Sequence, residues 1–178
     1  RQACSLHRLV QVVLRAEMTT QEQQEWKECV VNAMNHVFPS SDVTTWQQCQ
    51  RYLPHAQVCA TWIEEEHLWF AEAARLLNRI ARYLRDLALY AEALPLYKRA
   101  LAIREEVLGP KHPDTAQSLN NLADLYRNQG KYEQAEPLSQ RALAIREEVL
   151  GPKHLNTEVV RANYNRLLED MKAGEISR

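Results

Sequence analysis

A run of fourteen residues, RALAIREEVLGPKH, occurs twice in this chain, from Arg99 to His112 and from Arg141 to His154, an offset of 42 residues. Weaker correspondences hold the same register: Tyr90 with Tyr132, Ala93 with Ala135, Pro95 with Pro137, and Ile80-Ala81 with Leu122-Ala123. A fixed period of this size copies one supersecondary unit, and stacked copies share a continuous core instead of closing around a single one. Such a stack offers a long surface in place of a catalytic cleft. The repeat therefore points to a chain whose work is to hold another chain.

Glycine usage sets the secondary structure. Only four glycines occur (Gly109, Gly130, Gly151 and Gly174), with none in the first 108 residues. Hairpins and phosphate-cradling loops need more, so helix throughout is expected. The 22 basic and 23 acidic residues nearly balance, which argues against a nucleic-acid or membrane-surface partner. Cys4, Cys29, Cys49 and Cys59 form no CxxC pair, and a chain this long needs no disulfide staple; a reduced, cytoplasmic compartment is expected. No signal peptide, lipidation motif or eighteen-residue apolar run is present. Without an initiator Met, and opening mid-pattern at Arg1, the sequence reads as a piece of a longer protein.

The N-terminal part is different in kind. All four Trp (Trp26, Trp46, Trp62 and Trp69) and all four Cys precede residue 70, outside the repeats. The segment reads as an extended piece Gln2–Ser5 followed by an apolar helix Leu6–Arg15. Thr20 then offers an N-cap, with Gln23 three residues on, for a helix reaching Val37. Trp26, Val30, Ala33, Met34 and Val37 give that helix one buried face. Pro39-Ser40-Ser41-Asp42 ends it and caps the next, and Pro54 is expected to break or open another helix running to Glu65.

Within a repeat, Leu119, Leu122, Ala123 and Tyr126 form the apolar stripe of a first helix. Gly130 ends it in a left-handed turn, and Tyr132, Ala135, Leu138, Ala142 and Ile145 form the stripe of a second. Ala123 and Ala135 allow close approach of the two helices. Gly109 and Gly151 stop the second helices, Pro110 and Pro152 prevent continuation, and Thr115 and Thr157 sit where the following helices begin. Ala88 stands where Gly130 stands, so that turn must form without glycine. The register predicts helix pairs at about 70–87 and 90–107, then 114–128 and 132–149, with a closing helix at 156–172.

The pattern L-x-x-L-A-x-L-Y-x-x-x-G-x-Y-x-x-A-x-P-L at Leu119–Leu138 resembles the tetratricopeptide repeat. In its 42-residue form with the LGPKHP loop it is similar to repeats of kinesin light chains and of many bacterial and fungal signalling ATPases. The resemblance implies an all-α fold: a right-handed tetratricopeptide-repeat α-solenoid with an N-terminal helical cap, whose concave face receives a peptide. A second, shorter resemblance joins Ser5–Gln11, Phe38-Pro39, Trp46 and Leu53–Ala56 to the segment between the winged helix and the repeats of NB-ARC (STAND-type) ATPases. It implies that His7 would sense nucleotide in a parent protein, with Arg8 standing where an acid is usual. The implied division is 1–19 as the end of a winged-helix-like segment, 20–66 as a non-repeat helical linker or cap, and 67–178 as repeats. No G-x-x-x-x-G-K-[ST] occurs, so the chain by itself is not expected to be an enzyme or to carry a cofactor.

Other chemistry-bearing residues have plainer readings. Cys4-x-x-His7 lacks the second ligand pair that zinc needs. His112 and His154 recur in Pro-flanked loops and read as structural, and Glu105-Glu106 with Glu147-Glu148 read as the solvated backs of second helices. The candidate binding row lies on the first helices. Asn78, Arg79, Arg82 and Arg85 share a surface with Asn120, Asn121, Asp124 and Arg127, and Asn163 and Arg166 continue it. Asn can pair with a peptide amide bidentately and Arg with a carboxylate, so five Arg against one Asp point to a protein or peptide ligand that is acidic or presents its C-terminal carboxylate. The alternative is that these residues are ordinary solvated helix faces. Two functions follow: the ligand-sensing repeats of a STAND-type ATPase, self-associating through the parent protein, or a freestanding adaptor of the kinesin-light-chain type.

Overall fold

The computed structural model describes residues 17–40 and 43–176, and the described residues hold seven α-helices and no strand. They are α1 (Thr20–Val37), α2 (Trp46–Glu65, entered through a 3-10 turn at Val43–Thr45), α3 (Ala71–Asp86), α4 (Tyr90–Val107), α5 (Pro113–Asn128), α6 (Tyr132–Leu150) and α7 (Leu155–Ile176). The sequence register thus places every repeat helix. His7, Cys4, the extended piece Gln2–Ser5 and the helix Leu6–Arg15 lie outside the described residues.

Helices α3 and α4 form one antiparallel pair and α5 and α6 the next, with α7 packed on the second pair. Ala81, Ala93, Ala123 and Ala135 are all buried, so the small residues sit where the helices meet. The first helices also touch one another, α3 with α5 and α5 with α7, whereas α4 and α6 have no comparable contact. The stack therefore curves with α3, α5 and α7 on its inner side.

Turns repeat with the sequence. Gly109, Gly130 and Gly151 all take positive φ, and Ala88 holds the same left-handed geometry at φ 60° without a glycine's freedom. The Nδ1 of His112 accepts from the Asp114 N–H at 3.0 Å and that of His154 from the Asn156 N–H at 3.1 Å, so both histidines cap helix starts. Thr115 donates to the Gly109 carbonyl at 2.8 Å, and Thr157 to the Arg146 carbonyl at 3.3 Å. The glutamate pairs do more than face solvent. Glu105 pairs with Arg141 at 2.7 Å, Glu147 with Arg161 at 2.6 Å, and Glu148 with Lys111 at 2.7 Å, stitching one repeat to the next.

Two expectations for the N-terminal part need correction. The N-cap of α1 is Thr19, not Thr20, and it forms a complete capping box with Glu22 in place of Gln23. A carboxylate is the better partner there, because it accepts a charge-assisted bond and complements the positive end of the helix dipole. Pro54 neither breaks nor opens a helix but lies inside α2. Pro54 and Gln50, whose carbonyl loses its N–H donor, are both exposed, so water can satisfy that carbonyl. Helices α1 and α2 pack on α3, and Val31, Phe38, Cys49, Cys59 and Ile63 join the buried core that continues into the repeats.

Candidate functional site

The inner side of the stack carries the row that the register expects, but its side chains are engaged to very different degrees. The asparagines form a ladder. Asn121 Nδ2 donates to Asn78 Oδ1 at 3.2 Å, and Asn163 Nδ2 donates to Asn120 Oδ1 at 3.2 Å; each link spans 43 residues and is the same bond one repeat on. Asn78 also donates to the Ala74 carbonyl at 3.1 Å and to Ser118 Oγ at 3.0 Å, and both Asn78 and Asn120 are buried. These two tie first helices together, while Asn121 and Asn163 keep partial exposure to the groove.

The arginines divide likewise. Arg79 lies where Asn121 and Asn163 lie in later repeats, but it turns away to the carbonyls of Asn35 and Phe38, anchoring the end of α1. Arg85 pairs with Asp86 at 2.8 Å and reaches Asp124 at 3.8 Å. Arg127 lies between Asp124 at 4.0 Å and Asp170 at 3.6 Å. Burial lifts the Asp124 carboxyl above the ordinary range, against the opposing pull of Arg85, Arg127, Arg166 and Arg82. Asp86 and Asp170 are therefore acids of this face that the sequence row omits. Arg82 and Arg166 are exposed and make no hydrogen bond or ion pair among the described residues.

A cavity of about 300 Å³ opens at the cap end of this face. Four arginines line it: Arg75, Arg79 and Arg82 from α3, and Arg104 from α4. Asn78, Asn121, Gln117 and Ser40 complete the wall, with no carboxylate among the described residues that line it. Arg104 is only 5% exposed and donates through Nη1 to the Asp114 carbonyl at 2.6 Å and to Ser118 Oγ at 3.0 Å. Burial pulls the pKa of both Arg79 and Arg104 below the usual guanidinium value, and the positive charge of Arg75 pulls each the same way.

Sequence reasoning missed Arg75, Arg104, Gln117 and Ser40. Arg75 was legible, since it precedes Arg79 and Arg82 at the spacing that puts them on one helix face. Arg104 continues the buried row Ala93, Tyr97 and Ala100 of α4, an unusual place for a charge and a signal in itself.

A model of the tetratricopeptide repeat matches residues 72–148 and 119–172, together more than half of the 178 residues. The chain belongs to the tetratricopeptide-repeat family. Tetratricopeptide repeats generally bind proteins or peptides and serve as non-catalytic scaffolds, and this chain has their all-α solenoid. Among solved structures it resembles BtubC (BKLC) from P. vanneervenii, with a TM-score of 0.68 and 20% identity over 97% of this chain. The match spans 66% of that protein, just under two thirds of its length. No curated protein matches the chain. Among the described residues of this tetratricopeptide-repeat chain, no helix is long and apolar enough to cross a membrane.

Proposed function

We propose that the inner face formed by α3, α5 and α7 binds an extended, acidic segment of a partner protein. The observation that carries this reading is the uneven commitment of its polar groups. Buried Asn78 and Asn120 hold the helices in register, and Asn121 also accepts from Gln117 at 3.0 Å, which leaves chiefly Asn163 open for peptide amides and Arg82 and Arg166 for carboxylates. The test is fluorescence anisotropy with acidic peptides selected from a displayed library. Arg82→Glu with Arg166→Glu is expected to weaken binding by about a hundredfold, as two buried-interface charge contacts would, while far-UV circular dichroism stays unchanged. Unchanged affinity in that double variant would place recognition elsewhere.

In its wider setting the module would be the ligand-sensing part of a STAND-type signalling ATPase, a reading supported by the resemblance around Ser5–Gln11. His7 would then sense nucleotide in that parent. The second reading, a freestanding adaptor, is supported by the 42-residue repeat with its LGPKHP loop. A Walker A motif encoded upstream of Arg1 would favour the first, and its absence the second.

A further inference from the structure

We infer that the four-arginine cavity at the cap end of the inner face is a subsite for a phosphate monoester carried by the bound protein segment. The inference rests on the groove reading above and adds the chemistry of one position in it. The internal repeat supplies the argument, because it presents the same backbone site twice. At the 42-residue offset Arg104 becomes Arg146, but Arg75, Arg79 and Arg82 become Gln117, Asn121 and Asp124. The second unit folds with an amide, an amide and an acid at those positions; Arg79 has a structural reason in its anchoring of α1, but the fold does not require arginine at 75 or 82. Gathering these arginines costs electrostatic repulsion: Arg75 opposes the charge of Arg79 and also that of Arg104, where the Asp114 carboxylate offsets it.

The parts suit a compact dianion. Arg79 and Arg104 are fixed by carbonyls on either side, which holds their charge in place before any ligand arrives. Arg104 is buried, and its Nε–H has no partner among the described residues. Arg75 and Arg82 are exposed, make no hydrogen bond or ion pair among the described residues, and can close over the ligand as forks. Ser40, Asn121 and Gln117 add neutral polar groups to the wall. One carboxylate would leave most of this charge unmatched, whereas a phosphate monoester brings nearly two charges and three acceptor oxygens.

The probes are O-phosphoserine within a short blocked peptide, its unphosphorylated and Glu counterparts, and inorganic phosphate, each titrated by calorimetry into the full chain. The phosphoserine peptide is expected to saturate at one per chain and to bind at least about tenfold tighter than the Glu peptide. Arg75→Gln with Arg82→Gln should weaken it about tenfold or more without loss of helicity, since neither side chain holds the fold together. Equal affinity for the Glu peptide, or no effect of the double variant, overturns the subsite. Inorganic phosphate binding as tightly as the peptide overturns a protein-borne phosphate in favour of the anion alone. Acidic unphosphorylated peptides binding while the phosphoserine peptide does not would sink the subsite and leave the groove. Phosphoserine-peptide binding that exceeds inorganic phosphate but is unchanged by Arg166→Glu, far along the groove, would sink the extended groove and leave the subsite.

Discussion

Ala88 and Gly130 occupy the same turn in successive repeats, at φ 60° and 70°. A Cβ on Gly130 would meet nothing within 4 Å, so the cost of a side chain there is purely conformational. An L-residue in this region is disfavoured by about 1–2 kcal/mol, partly offset because glycine loses more chain entropy on folding. Ala88→Gly should therefore raise stability by about 0.5–1 kcal/mol, and Gly130→Ala lower it by about 1 kcal/mol, read as opposite shifts of the urea midpoint. A second residue-scale test is Tyr97, which is fully buried with a hydroxyl that has no hydrogen-bond partner among the described residues. Tyr97→Phe removes an unsatisfied polar atom and keeps the ring, so stability should hold or rise by up to about 1 kcal/mol. At this scale the sequence was legible where one residue has one job, as in the glycine turns. It misled where neighbours compete: Thr19 and Thr20 are equal as hydroxyls, and only Glu22 at the reciprocal position decides between them.

Helix boundaries were the most legible feature, because the copied Gly-Pro turns and the stripe of small residues fix both ends of each unit. Ala123, which is nearly fully buried on α5, tests that packing. Ala123→Leu should destabilise by about 1–3 kcal/mol, since the added methylenes wedge the paired helices apart, and an unchanged thermal midpoint would show the register to be wrong. The ladder is a separate bond between elements. Asn78→Ala removes its bonds to the Ala74 carbonyl, Ser118 and Asn121, and should cost about 2–3 kcal/mol through the buried groups left unpaired. The partners of these side chains were not legible. Helical periodicity places Arg79, Arg85 and Arg127 on one face, but it cannot say that Arg79 turns to the end of α1 or that Asp170 on α7 reaches Arg127.

At the scale of the molecule, the non-repeat helices α1 and α2 cover the first repeat, while α7 ends the stack with Leu155 and Val159 exposed. The inner face between those ends is the proposed binding surface. Exposed charges are screened over about 10 Å at 0.1 M salt, so an acidic ligand held by Arg82 and Arg166 should weaken steadily as salt rises. The most direct measurement is chemical-shift mapping of the isotope-labelled chain as a selected acidic peptide is added. The account predicts shifts concentrated on α3, α5 and α7, at Arg82, Asn121, Asn163 and Arg166, with Glu106, Val107 and Val149 on α4 and α6 silent. Shifts concentrated on α4 and α6 would contradict it.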